Sequence, residues 1–469
     1  TRMHSRILGF FALSALAASG PVAAQQFVQL PPGSNALDIT PDGEVVVGID
    51  SNGEGLIWRW RVDPAPTSVP GGYFTAVSDD GTIACGNTTH PGTGELVAGF
   101  WSETTGWQSL GWLPGAGGLC GGSMSSAFDI SGDGGVVVGL SWESCDARGF
   151  LWTDSTGMIE LMPLGNGHNR ASAISGDGLT IGGFAQGSLA RTPAYWSWDA
   201  TGALINPNLQ GEVYGLNYDG STSVGTLYFG GGVSPSAFVR DTQTGGMIDL
   251  GSLQSGWAGN ATDLSEDSSV IVGFDSQMLN RKAWVWTAGD GIIGLQERLA
   301  AQGIVGVPNL LTCNAVSVDG TVMVGGGEIG GGAFGTAGYI AELPTTPALW
   351  INLLGGLPGT VGVPKLAGTG TLVGGTPANV TLTKGKPLAP SALAVGLTAA
   401  QIPFKGGILV PHPGWIFFFP LGSTGSLSLN FNWPNGLPSG FKMYWQFMIK
   451  DAAALNGVAL SNALRSQTP

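Results

Sequence analysis

The sequence predicts an all-β protein, a seven-bladed β-propeller followed by a small antiparallel β-sandwich, and three observations predict it. One Asp-Gly motif recurs seven times at a mean spacing near 46 residues, the length of one four-stranded blade. Glycine accounts for 80 of 469 residues, and Asp, Glu, Lys and Arg together reach only 11%, against roughly 25% in an average soluble domain. Such a chain is rich in turns and poor in long helices. Beyond Pro344 the motif stops and strictly alternating apolar segments take over, the period of half-buried strands. With 43% hydrophobic residues there is enough apolar surface to bury, which excludes global disorder.

The chain begins TRMHSRILGFFALSALAASGPVAAQQ. Arg2 and Arg6 precede an apolar stretch from Ile7 to about Ala18, and small residues lead to Val22-Ala23-Ala24. This is the pattern of a signal peptide over 1–24, cleaved before Gln25. The mature chain is expected to be secreted, at the cell surface or periplasmic. The later apolar run WIFFFPL at 415–421 is too short to span a bilayer, so no membrane span is expected in the mature chain. Eighteen basic against 32 acidic residues give a net charge of −14, which disfavours nucleic acid or an anionic membrane as partner.

The repeats are ITPDGEVVVG, VSDDGTIACG, ISGDGGVVVG, ISGDGLTIGG, LNYDGSTSVG, LSEDSSVIVG and VSVDGTVMVG. Their aspartates are Asp42, Asp80, Asp133, Asp177, Asp219, Asp267 and Asp319, and a glycine stands six residues after each; in the sixth copy Ser268 replaces the turn glycine. An aromatic segment follows each copy, as in LIWRW at 56–60, GFLWT at 149–153 and AWVWT at 283–287. Each unit reads as strand, Asp-Gly turn, Val-rich strand, loop, aromatic strand, Gly turn, strand. Seven such units fill residues 25–344, and the extra FVQL strand near Phe27 is placed to complete the last blade.

The seven aspartates read as turn residues, since Asp tolerates a left-handed backbone and bonds neighbouring N–H groups while Gly accepts positive φ. A calcium loop is not indicated, because Asp38/Asp42, Asp129/Asp133 and Asp263/Asp267 sit four apart rather than two. No metal, cofactor or catalytic motif is found: there is no G-x-S-x-G, no H-E-x-x-H and no P-loop. Of the four histidines, His4 falls in the leader, and His90, His168 and His412 are isolated.

On Arg148-Gly149-Phe150-Leu151-Trp152 and Ala237-Phe238-Val239, the repeats resemble the HAF-type extracellular repeat of bacterial proteins, although the histidine of that motif is missing. The resemblance covers about two thirds of the chain and implies secretion and repetition rather than a defined activity.

If strands a to d of each unit alternate up and down, the a–b and c–d turns share one face of the disc. The b–c loops and d–a connections share the other, and these vary: residues 86–99, 111–126 and 294–309 are the longest. Partners commonly meet variable loops on a rigid frame. The aromatics expected there are Trp107, Trp112, Trp142, Tyr228, Phe229 and Trp257, which could stack on sugar rings or cover blade ends. The same geometry places Cys120 and Cys145 on one side of one blade. They are expected to form a disulfide closing a loop of about 26 residues, worth about 3–4 kcal/mol in the chain-entropy account. Cys85 and Cys313 fall within strands and read as buried and free.

Residues 345–364 read as a Gly/Pro-rich linker and 365–469 as the sandwich. Leu427, Leu429, Phe431 and Trp433 alternate onto one face, as do Phe441, Met443, Trp445, Phe447 and Ile449. The closing DAAALNGVALSNALRSQTP is similar to a terminal module of secreted proteins from planctomycete-like bacteria, which implies sorting, attachment or capping. The expectation is a secreted or cell-surface, non-enzymatic binding protein using the loop-rich face, with a polysaccharide or envelope protein as partner. A carbohydrate-active hydrolase or lyase on the same ring, and a purely structural envelope protein, are the alternatives.

Overall fold

The computed structural model describes residues 27–115, 124–164, 168–186, 191–204, 209–228, 234–242, 245–328, 336–343, 349–353, 356–438 and 440–469. The expected leader, Cys120 and Phe229 lie outside them. Gln25–Leu343 forms one compact unit, and Pro344–Pro469 belongs to another.

In the first unit seven four-stranded antiparallel sheets follow one another. Their innermost strands are Asn35–Ile39, Gly72–Val77, Ser125–Ile130, Asn169–Ile174, Gln210–Leu216, Ala258–Leu264 and Leu310–Val316. Each sheet adds its next strands outward in chain order, except the seventh. There the outermost strand is Phe27–Pro32, from the start of the chain, with Phe27 opposite Ala341. The ring is thus closed by backbone hydrogen bonds between its two ends.

The core is divided among the junctions between sheets. Val47, Ile57, Phe74 and Trp101 fill the first junction. Cys85, Leu113, Ile130 and Phe150 fill the next, and Leu30, Val46, Trp58, Val324 and Ile340 join the seventh sheet to the first. An all-β ring of apolar wedges around an axis is a β-propeller.

The motif residues have separable physical roles. In the Asp-Gly turns, Gly43, Gly81, Gly134, Gly178, Gly220 and Gly320 have φ between 65° and 74°, the left-handed region that glycine enters without penalty. Ser268 holds φ 57° in the sixth copy. Ser268→Gly is therefore expected to raise stability by about 0.5–1 kcal/mol, read as a higher denaturant midpoint.

The glycine six residues after Asp answers to space instead. A Cβ at Gly48, Gly86, Gly139, Gly183, Gly225, Gly273 or Gly325 would lie 1.9–2.1 Å from a carbonyl oxygen of the innermost strand. At Gly139, Gly225 and Gly273 it would also meet the ring of Phe150, Phe238 or Trp284.

In the second unit a sheet built from Trp350–Asn352, Leu464–Gln467, Lys442–Lys450, Pro390–Gly396 and Trp415–Pro420 accompanies a three-stranded sheet of Lys365–Gly370, Pro377–Thr383 and Leu427–Asn432. Trp433, Met443, Trp445, Phe447 and Ile449 are buried in one cluster, with Leu427, Leu429 and Phe431 packed against it. The stretch read as linker is partly sandwich. Trp350 pairs with Ser466, and its ring meets those of Trp433 and Trp445 at 6.2 and 6.1 Å. Burying an indole outweighs the Gly/Pro-rich surroundings.

Candidate functional site

Every innermost strand of the propeller breaks register at the same place, between Ala36/Asp38, Phe74/Ala76, Ala127/Asp129, Ala171/Ala173, Val213/Gly215, Ala261/Asp263 and Cys313/Ala315. A bulge inserts one unpaired residue and re-aims its side chain. The inserted residues are Leu37, Thr75, Phe128, Ser172, Tyr214, Thr262 and Asn314, and all seven line one axial cavity of about 400 Å³. Asp38, Asp129 and Asp263, each one residue further along, line it as well.

Many of these polar groups also tie one sheet to the next. Asp38 accepts the Ile39 N–H at 2.8 Å with one oxygen and the Val77 N–H of the following sheet at 2.9 Å with the other. Asp129 does the same with Ile130 and Ile174 at 2.8 and 2.7 Å, and Asp263 with Leu264 and Val316, both at 2.8 Å. Thr262 donates to the Cys313 carbonyl at 2.7 Å, and Asn314 donates to the Ala36 carbonyl at 2.7 Å across the closing junction. Towards the b–c end, Arg170 and Ser172 both donate to Glu212, which is 2% exposed. Arg191 lies 3.5 Å from the other oxygen of Glu212.

At the Asp-Gly end the ring is tied together by its turns. Successive turns there are stitched around the axis: Asp79 N–H donates to Gly132 O, Gly132 to Gly176 O, Asp177 to Tyr218 O, Glu266 to Val318 O and Val318 to Pro41 O, all at 2.9–3.0 Å. Tyr218 N–H donates to the Glu266 carboxylate at 2.9 Å. The stitch from Pro41 to the second turn is missing because proline has no N–H. The Tyr218 ring lies over Gly176, where a Cβ would come within 2.1 Å of it, and the Asp79 carboxyl lies over Gly132. None of these residues lines the cavity.

Enclosure by the surrounding sheets pushes Asp38 up to about 6, against the pull of its two N–H donors. It pushes Asp263 to about 7, and Asp129 well above the usual carboxyl range with help from the Asp38 charge. Asp79 rises to about 8 through enclosure and the charges of Asp133, Asp80, Asp42 and Glu266. An acid whose pKa is raised on folding holds its proton more tightly folded than unfolded, so its contribution is complete at low pH and falls as pH rises. Stability of the propeller is therefore expected to decline from about pH 4 to pH 8, and melting temperature against pH checks this. A flat profile would mean that these carboxyls titrate as in water.

The seven motif aspartates lie in the turns between the first and second strands of each sheet and act locally. Asp133 accepts the Ser131 hydroxyl at 2.7 Å and the Gly135 N–H at 2.8 Å, while Ser131 Oγ accepts the Val136 N–H at 2.9 Å. Asp42, Asp80, Asp177, Asp219, Asp267 and Asp319 repeat the pattern, with Asn217 replacing the hydroxyl residue at Asp219. No group of three or more metal-ligating side chains occurs among the described residues.

Of the expected ligand-face aromatics, Trp107 is a packing residue. It follows the c–d turn, and its ring stacks on Phe74 at 5.0 Å and 23° and reaches across the sheet to Gly72. Its work is packing the first junction. Trp112, Trp142, Tyr228 and Trp257 do stand at the b–c and d–a end, but none of them lines the cavity. Trp112 packs on His90 at 5.1 Å, and Tyr228 is 41% exposed.

The loops are shorter than their sequences suggest. Strands run to Thr89 and from Leu96, and His90 Nδ1 accepts the N–H groups of Gly92 and Thr93, each at 3.2 Å, to form a compact turn. Residues 294–309 include the helix Leu295–Ala301, with Leu295 and Leu299 buried. Cys85 and Cys313 are buried and free. Cys145 is disulfide-bonded, and non-reducing peptide mapping is expected to recover it joined to Cys120; a peptide carrying Cys120 as a free thiol would contradict the pairing.

No family model and no curated protein matches the chain. Among solved structures it is similar to a putative TolB from Agrobacterium tumefaciens, at 17% identity over 47% of this chain and 80% of that one, with a TM-score of 0.36. Oligogalacturonate lyase from Vibrio parahaemolyticus gives 14% identity over 68% and 94%, with a TM-score of 0.45. The β-propeller domain of the Trilobed protease from Pyrococcus furiosus gives 10% over 69% and 97%, with a TM-score of 0.42. Likeness of this degree concerns the fold alone, and the activities of those proteins are theirs. The chain is a β-propeller with a C-terminal β-sandwich, on the strength of its own sheets.

Proposed function

We propose that this is an exported, non-enzymatic binding protein of HAF-type repeats, which takes a polysaccharide or envelope protein at the b–c and d–a end of the propeller, over the axial cavity. The sandwich serves as its attachment or cap. One observation carries the reading: the carboxyl groups that line the cavity are engaged in holding the ring. Asp38, Asp129 and Asp263 each use both oxygens on backbone N–H groups, and Glu212 is shared by Arg170, Arg191 and Ser172. A glycosidase needs two carboxyls free to face the substrate, so this arrangement favours binding over hydrolysis.

The test is a binding screen of the full-length protein against polysaccharides and envelope extracts, alongside Leu37→Trp, which fills the cavity without removing a clamp. Binding by the native protein that Leu37→Trp loses, with its melting temperature retained, is the expected result. Turnover of any bound polymer, or equal binding by the variant, would contradict the proposal.

A further inference from the structure

The net charge of the chain conceals a segregation. Residues 25–344 carry nine basic and 31 acidic side chains, whereas 345–469 carry seven basic and one acidic. That one acid, Asp451, is 1% exposed and is occupied by the N–H and hydroxyl of Thr360 and the Ala453 N–H at 2.6–3.0 Å. The charged side chains that the sandwich presents to solvent are therefore cations. A net charge of −14 argues against an anionic membrane for the propeller, and the sandwich carries the opposite sign.

One face of the sandwich joins those cations to exposed apolar surface. In the larger sheet Leu393, Phe447 and Ile449 point into the core, and the alternate residues point outward. Along the edge strand Trp415–Pro420 the outward residues include Ile416 and Phe418, 47% and 81% exposed. Phe418 stands opposite Ala392, and Ala392 opposite Met448, so an apolar row crosses three strands. Lys450 ends the third strand on the same face and is exposed. The hairpin of Ala399–Phe404 and Gly407–Pro411, with Lys405 in its turn, packs on this face through Gln446, which accepts the Val410 N–H at 2.8 Å. At the far end of the edge strand Leu388, 73% exposed, donates its N–H to Gly422 at 3.1 Å, in the same turn that carries Lys384. Lys384, Lys405 and Lys450 are exposed and form no ion pair among the described residues.

Apolar groups that enter the acyl boundary beside amines that meet phosphate are what an interfacial protein offers a bilayer. A soluble acidic polymer would engage the lysines and leave Phe418 and Ile416 in water. We infer that the outer face of the larger sheet docks on an anionic phospholipid surface, with Phe418 and Ile416 in the headgroup boundary and Lys384, Lys405 and Lys450 at the phosphates. The inference rests on the attachment role proposed for the sandwich and names the surface to which it attaches.

The experiment is cosedimentation of the full-length protein with vesicles of phosphatidylcholine alone, or of equal parts phosphatidylcholine and phosphatidylglycerol. Binding is expected to the mixed vesicles only, and to weaken as salt is raised. Lys450→Gln is expected to weaken it about fivefold, the worth of one cation near a charged surface, and Phe418→Ser about tenfold or more. Both side chains are exposed, so melting temperatures are expected to stay unchanged. Leu37→Trp is expected to bind vesicles as the native protein does, which keeps this test apart from that of the propeller. No binding to the mixed vesicles, or binding indifferent to Phe418→Ser, would overturn the inference and leave the propeller's binding role standing. Capture of a soluble polyuronate instead of vesicles would reassign the lysines to an acidic polymer and overturn it as well.

Discussion

Gly139→Ala is expected to destabilise the propeller by about 3 kcal/mol or more. The new Cβ would lie 2.0 Å from the Ser126 carbonyl oxygen, 2.9 Å from the Phe150 ring and 3.0 Å from the Ala127 Cα. Two of those neighbours are backbone in the adjoining strand, so relief requires opening the bulge that aims Phe128 into the cavity. Gly157→Ala provides the comparison. Gly157 has φ 67° and nothing within 4 Å of an added Cβ, so its cost is backbone strain alone, about 1 kcal/mol. Denaturant midpoints of the two variants separate crowding from conformation, and equal losses would show that the bulge yields.

Asp129→Ala is expected to cost about 2 kcal/mol at pH 5, because it leaves the N–H groups of Ile130 and Ile174 without an acceptor. Cavity water replaces part of the loss. The deficit should shrink towards pH 8. The native carboxyl is pushed well above its ordinary value by enclosure and by Asp38, so its favourable contribution falls as it is forced to ionise. The variant lacks that contribution and keeps only the slope due to Asp38, Asp263 and Asp79. Melting temperatures of the two proteins across that pH range check both the size and the convergence. A gap that widens with pH would mean that the carboxylate, not the acid, is the favoured form.

The architecture was legible because its signal is repetition. Seven copies of the motif, six with Asp-Gly and one with Asp-Ser, mark seven hairpins, and FVQL is legible as the closing strand because a ring of four-stranded sheets needs one. Burial is legible for Cys85 from its place inside a Val-type strand and for Cys313 from its place at the start of the last repeat. The site was less legible for a physical reason. A bulge leaves no composition signature, so the residues five before each motif aspartate, from Leu37 to Asn314, look as unlike one another as ligand-facing residues usually do. The carboxyls four before it were visible, but only as a spacing that fails for calcium. What they do, reaching the next sheet across the axis, depends on neighbours 39 to 53 residues away. The helix at Leu295 was hidden because a single pair of leucines four apart is a weak periodic signal.

Binding of ligand in the axial cavity of the propeller is open to one direct test. Leu37→Cys places one accessible thiol there, since Cys85 and Cys313 are buried. Affinity for the ligand found in the screen is then measured before and after blocking that thiol with a small methanethiosulfonate reagent. The account predicts that modification abolishes binding while the melting temperature holds; undiminished binding by the fully modified protein would contradict it.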